Sequence, residues 1–180
     1  MWYLQNAWRI PLFTQQEGTL SMAAHQFSVS AHIAVPAQTL YSIIADYHQG
    51  HPQIIPRPPF ISLIVEEGGV GSGTVIQMRT QLMGKLQTIR CVVTEPEPGR
   101  VLVETNDNGY STSFTVDPRD AGKQAYVTIT TWMTKGSGVL SALECWFAGR
   151  MLRPVYRREL EQLAMVGNVW LTSQQESKSK

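Results

Sequence analysis

The ionisable residues that could take part in chemistry fall in two short segments, and the first contains Asp46, His48 and His51. A carboxylate and two imidazoles this close together could hold a metal ion or transfer protons. The same residues are also typical of an ordinary loop, in which His48 lies in solvent and His51 packs beside Pro52. We favour the loop interpretation, and the sequence predicts neither a metal site nor a cofactor.

The second segment contains Glu104 and Tyr110. The alternating pattern around Glu104 places either Leu102 and Glu104 or Val101 and Val103 in the interior of the protein. Burying two valines costs less free energy, so we favour the valine register. If Glu104 points inward instead, its carboxyl must be hydrogen-bonded or protonated, and it becomes a candidate ligand anchor or acid-base group. The catalytic candidates are therefore Glu104, Tyr110 and His51.

The glycine and cysteine patterns argue against other kinds of site. Gly69, Gly71 and Gly73 precede a strand rather than a helix, so they predict a hairpin turn and not a phosphate-binding loop. Cys91 and Cys145 lie outside any metal-binding spacing, and we interpret both as small buried hydrophobic residues. No combination of serine or cysteine with histidine indicates a nucleophilic site.

Composition narrows the class of protein further. The 180 residues suit one domain, and 15 Lys and Arg against 14 Asp and Glu leave a net charge of +1. This balance lacks the basic excess of a nucleic-acid-binding protein, so no nucleic-acid partner is predicted. No apolar run is long enough to span a membrane. With two widely spaced cysteines, a reducing cytoplasm is the simplest location.

The elements that must position these side chains follow from periodicity and turn residues. We expect a strand, a short helix after Pro36, a proline-rich loop, six further strands, and a long helix that bends at Pro154. The expected strands cover residues 25–35, 60–67, 74–82, 85–95, 100–105, 110–116 and 123–134. We expect residues 1–22 to be an N-terminal extension, 23–168 the folded domain, and 169–180 a polar tail.

Strand alternation and the helical stripe predict which residues face the interior. On the strands these are Ile76, Met78, Ile89, Cys91, Tyr110, Thr112, Phe114, Ile129 and Thr131, and on the long helix Leu143, Phe147 and Met151. This face is mostly apolar with scattered hydroxyl groups, as in a ligand pocket. Alternation is the same for a hollow interior and a filled one, so both alternatives stay open.

Five short motifs then sharpen the fold assignment. They are Val35-Pro36-Ala37, Asp46-Tyr47, Val70-Gly71-Ser72-Gly73-Thr74, Val93-Thr94-Glu95-Pro96-Glu97-Pro98 and Phe114-Thr115-Val116-Asp117-Pro118. With this order of elements they resemble the polyketide cyclase/dehydrase and lipid-transport family of the START-like (SRPBCC) superfamily, over about residues 25 to 167. The resemblance implies an α+β helix-grip fold, in which a seven-stranded curved antiparallel sheet wraps around a long kinked C-terminal helix, with one or two short helices after the first strand.

The resemblance also implies a cavity between the sheet and the last helix. We therefore expect the protein to bind a small hydrophobic or aromatic ligand, such as a lipid or polyketide, for sequestration or transfer. The alternative is an enzyme of the cyclase/dehydratase kind that acts on a polyketide-like or aromatic substrate in the same cavity. The oligomeric state stays open.

Overall fold

A computed structural model describes residues 25–82, 84–133 and 139–178, over which the chain forms seven strands and three α-helices. The strands are β1 (His25–Ile33), β2 (Phe60–Glu67), β3 (Val75–Leu82), β4 (Lys85–Glu97), β5 (Val101–Asn106), β6 (Tyr110–Arg119) and β7 (Gln124–Met133). The helices are α1 (Ala37–Ala45), α2 (His51–Ile54) and α3 (Val139–Lys178), and a 3-10 turn covers Asp120–Gly122. The expected N-terminal extension, residues 1–22, lies outside the described residues.

The seven strands form one antiparallel sheet in the order β1-β7-β6-β5-β4-β3-β2. Short connections join consecutive strands from β2 onward, as the turn residues predicted. At the β5–β6 turn, for example, the Asn106 side chain accepts hydrogen bonds from the backbone N–H groups of Asn108 at 2.9 Å and Tyr110 at 3.0 Å. Gly109 has a φ of +79° there, which glycine adopts at no steric cost. The expected α+β helix-grip architecture is confirmed.

Helices α1 and α2 carry the chain from β1, at one edge of the sheet, to β2 at the other. The apolar face of α1 is fully buried at Leu40, Ile43 and Ile44. Gly50 lies against the backbone of Ile43, where an added Cβ atom would stand 2.4 Å from the carbonyl oxygen. Only glycine fits there. The chain can therefore turn sharply between α1 and α2, which places His51 next to Phe114 on the inner face of the sheet.

Helix α3 packs against β1, β7, α1 and α2. Two buried glycines permit the close approach. A Cβ atom at Gly149 would lie 3.3 Å from the ring of Phe27, and one at Gly167 would lie 3.0 Å from Val35. The packed face therefore carries small residues where α3 contacts β1 and the segment that links β1 to α1. None of the described helices has both the length and the apolar character needed to cross a bilayer.

The predicted inner face of α3 was wrong in its first half. Leu143 and Phe147 are 59% and 45% exposed, and Met151 is half-buried. The buried face runs through Cys145 and Gly149, because the close contact with the sheet selects small side chains over large apolar ones.

In the second half of α3 the buried face does carry large apolar side chains, those of Tyr156, Leu160 and Leu163. The helix is continuous through Pro154, and a bend at that residue stays a prediction. The helix also extends to Lys178, so it includes most of the segment expected to be a tail.

Candidate ligand-binding cavity

A cavity of about 250 Å³ lies between the inner face of the sheet and α3. Its sheet side is formed by side chains from β1 and from β3 to β7, and its helix side by Ala148, Leu152, Tyr156 and Glu159. Pro59 and Phe60, at the start of β2, and Ile55 add apolar surface at the rim. The interior of the protein is therefore hollow rather than filled.

Most of the side chains predicted to face inward do line this cavity: Met78, Ile89, Cys91, Tyr110, Thr112, Phe114 and Thr131. Ile76 and Ile129 also face inward, but both are fully buried in the core and lie outside the lining. Leu143, Phe147 and Met151 are not part of the lining, because α3 presents a different face to the sheet. That these residues bind a ligand stays a prediction.

The register of β5 is opposite to the one that we favoured. Leu102 is fully buried and Glu104 is 7% exposed, whereas Val101 and Val103 are only half-buried. The cost expected for a buried carboxylate is offset by a hydrogen bond, because the hydroxyl group of Tyr47 donates to Glu104 Oε1 at 2.7 Å. Glu104 therefore lines the cavity, and the hydrogen bond from Tyr47 offsets part of the cost of burying its carboxyl.

His51 completes a cluster with Glu104 and Tyr47. Its ring is buried, it stacks on the Tyr47 ring at a centroid distance of 4.5 Å, and its Nε2 lies 3.5 Å from Glu104 Oε1. Nδ1 lies 2.8 Å from the backbone carbonyl of Ile44. A carbonyl can only accept, so Nδ1 carries a proton and Nε2 is the atom that can exchange one with Glu104. His48, in contrast, is exposed as expected.

A chain of hydroxyl groups lines another part of the wall. Tyr156 Oη lies 2.7 Å from Thr131 Oγ1, which is 3.0 Å from Thr112 Oγ1. Burial raises the pKa of Tyr156 to about 12, so its hydroxyl group remains protonated at neutral pH. This part of the wall can donate and accept hydrogen bonds without carrying charge.

Besides Tyr156, five polar residues of the cavity lining were not among the predicted site residues: Thr80, Gln87, Asn106, Asn108 and Glu159. Glu159 is 4% exposed, and burial, with a smaller effect from the negative charge of Glu104, raises the pKa of its carboxyl well above the ordinary range. Thr80 lies on the same face of β3 as Met78, and its buried Oγ1 has no hydrogen-bond partner among the described residues. Glu159 could have been found from its position, since it falls three residues after Tyr156 on the buried stripe of α3.

The thiol of Cys91 is not activated. Burial and the nearby Glu104 raise its pKa, so the thiolate that a nucleophile or metal ligand requires is disfavoured. Both cysteines are buried and unpaired, as expected. Over residues 25–82, 84–133 and 139–178, no group of three or more His, Cys, Asp or Glu side chains could hold a metal ion.

Three solved structures illustrate the similarity of the fold. KanY protein (ms6282) has a TM-score of 0.67 at 23% identity, and the match covers 79% of this chain and 97% of that one. The ZhuI aromatase/cyclase from Streptomyces sp. R1128 has a TM-score of 0.56 at 20% identity, covering 79% and 93%. A START superfamily protein from Mycobacterium smegmatis has a TM-score of 0.53 at 16% identity, covering 78% and 92%. At these identities the similarity shows the fold alone.

Sequence comparison identifies the family of this chain. No curated protein matches the chain significantly. The profile of one family, described as polyketide cyclase / dehydrase and lipid transport, matches residues 24–166. This range takes in the whole sheet, α1, α2 and the part of α3 that borders the cavity. The chain therefore belongs to the polyketide cyclase/dehydrase and lipid transport family.

Proposed function

We propose that the protein binds a small, mainly apolar molecule in the cavity between the sheet and α3. The observation that carries this proposal is a hollow of about 250 Å³ in the centre of a domain that otherwise has a well-buried core. Protein interiors are normally close-packed, and an apolar cavity of roughly 150 Å³ already holds benzene. A hollow of this size suits a ligand of two or three fused rings or a short acyl chain.

The chemistry of the wall supports a ligand with an apolar body and a few polar groups. Phe27, Met78, Phe114 and Leu152 provide apolar surface. The hydroxyl group of Thr80 is buried without a partner, and such a group normally costs about 1–3 kcal/mol. A bound molecule that hydrogen-bonds to Thr80 would remove this cost.

Binding can be tested with an uncharged fluorescent probe such as N-phenylnaphthylamine. The variant Ala148→Phe places a large ring in the cavity from α3, and we expect it to weaken probe binding by at least about tenfold, or 1.4 kcal/mol. Leu143→Phe is the control, because Leu143 is on the same helix but exposed and outside the lining. Equal binding by both variants, with circular dichroism showing that they fold, would place the probe elsewhere on the protein.

A second candidate function is catalysis in the same cavity, of the cyclase/dehydratase kind. It is favoured by the pairing of His51 with Glu104, an imidazole and a carboxylate that can share a proton next to a bound molecule. In a dehydration, this pair would remove a proton from the carbon beside a carbonyl group. Glu159, whose carboxyl pKa is raised by burial, would donate a proton to the departing hydroxyl, which leaves as water while a carbon-carbon double bond forms.

Turnover and binding can be separated with Glu104→Gln, which removes the charge and keeps the shape of the side chain. If the protein is an enzyme, this variant should lose about 100-fold or more in kcat on a polyketide-like or aromatic substrate, yet bind the uncharged probe within about tenfold of the original protein. Glu161→Gln is the control on an exposed glutamate. Absence of turnover by the unmodified protein on all such substrates leaves binding as the function.

A further inference from the structure

The charges of the cavity wall are distributed in a way that restricts its ligand. Among the described lining residues, the carboxyl groups are those of Glu104 and Glu159, and there is no lysine or arginine. Arg153 lies with its guanidinium 6.0 Å from the centre of the Phe27 ring, but it is exposed and is not part of the lining. The wall therefore holds two acids and one histidine.

The histidine cannot offset the charge of an incoming anion. If His51 is protonated at Nε2, its charge is already paired with Glu104, 3.5 Å away. If His51 is neutral, its Nε2 lone pair faces into the cluster and repels an anion. In either state a carboxylate or phosphate would enter a desolvated site without a free cation, next to Glu104, which is unfavourable.

Uncharged hydrogen-bonding groups, in contrast, are abundant in the wall. Thr80 presents a buried hydroxyl that has no partner among the described residues. The hydroxyls of Thr112, Thr131 and Tyr156 form a connected chain that can both donate and accept. The side-chain amide of Asn106 also lines the cavity.

We propose that the cavity selects an uncharged molecule, with hydroxyl or carbonyl groups on an apolar ring or chain, and excludes carboxylates, phosphates and other anions. This inference rests on the proposed function, since it specifies the class of ligand for the same cavity. It also predicts that fatty acids are not ligands. They have a similar size and apolar area, but the cavity would reject their free carboxylates.

The test compares three probes that share one naphthalene ring: naphthalene methanol, naphthalene carboxylate and naphthalene methylammonium. Their affinities are measured by isothermal titration calorimetry at neutral pH with the full-length protein. We expect the alcohol to bind tightest and the carboxylate to bind at least about 30-fold more weakly. Equal or tighter binding of the carboxylate, or tighter binding of the ammonium compound, would overturn the inference.

Two further measurements assign the selectivity to the wall. In Glu104→Gln the ratio of alcohol to carboxylate affinity should fall at least about fivefold, because the repelling charge is gone. In Glu161→Gln, an exposed glutamate on α3, the ratio should not change. The proposed function and this inference fail in different ways: no binding of any probe defeats the proposed function, whereas good binding of the alcohol with an equal affinity for the carboxylate defeats only the selectivity.

Discussion

The hydroxyl group of Tyr47 donates a hydrogen bond of 2.7 Å to the carboxyl of Glu104, although the two residues are 57 positions apart in the chain. Tyr47 lies between α1 and α2, and Glu104 lies in the centre of β5. The bond therefore fastens the helical connection to the sheet and makes it possible for a strand to bury a carboxyl that faces the cavity.

Removing this hydrogen bond should destabilise the protein. We expect Tyr47→Phe to lower the free energy of unfolding by about 1.5–3 kcal/mol, because the buried carboxyl of Glu104 loses its 2.7 Å hydrogen-bond donor. Urea denaturation measures the change. Tyr126→Phe is the matched control on an exposed tyrosine of β7, and it should stay within about 0.5 kcal/mol of the original protein. Equal effects of the two substitutions would show that the Tyr47 bond contributes nothing.

Two phenylalanines test which face of α3 is packed. Phe27 is buried and stacks on Tyr156 at 5.9 Å, so Phe27→Ala should cost about 3 kcal/mol of stability. Phe147 is 45% exposed, so Phe147→Ala should cost less than about 1 kcal/mol. The comparison uses one chemical change in two environments and needs only denaturation curves. A large loss of stability in Phe147→Ala would show that the predicted face of α3, which carries Leu143 and Phe147, is the packed one.

Stability should depend on pH through Glu159. Its pKa is raised in the folded protein by burial and by the facing charge of Glu104, whereas in the unfolded chain it returns to about 4.3. Above that pH the unfolded chain binds fewer protons than the folded one, so stability falls as pH rises, by up to about 1.4 kcal/mol per pH unit. The fall ends where the pH passes the raised pKa of the folded state.

The variant Glu159→Gln cannot ionise at this position, so it lacks this pH dependence of stability. Its stability relative to the original protein should therefore increase steadily with pH above about 5, and should be constant below about 4. Urea denaturation at a series of pH values gives the difference. Glu161→Gln, on the exposed side of α3, should show no such trend. A difference for Glu159→Gln that is independent of pH would mean that this carboxyl has an ordinary pKa in the fold.

Alternation along the strands was enough to predict much of the cavity wall. Met78, Cys91 and Phe114 face inward because every second residue of a strand shares a face, and the neighbouring polar residues excluded the opposite register. On β5 the same argument failed, because either set of residues could be buried. The deciding contact comes from Tyr47, which belongs to another part of the chain, and a strand pattern contains no information about it.

The helix side of the cavity could not be predicted for a related reason. Hydrophobicity along α3 favours Leu143 and Phe147, yet the packed face at that level carries Ala148 and Gly149. Phe27 approaches so closely that a larger residue at 149 would not fit without movement. The helix face that packs on the sheet thus depends on the shape of the sheet surface, and the sequence of the helix contains no information about that shape.

The central claim, that a small apolar molecule occupies the cavity, is tested most directly by NMR on protein with labelled methionine methyl groups. Met78 and Met133 line the cavity, while Met165 is exposed on α3 outside it. With saturating N-phenylnaphthylamine, we predict nuclear Overhauser effects from the probe to the methyl groups of Met78 and Met133 and none to Met165. Contacts to Met165 alone, or none to Met78 and Met133 while the probe is bound, would contradict the claim.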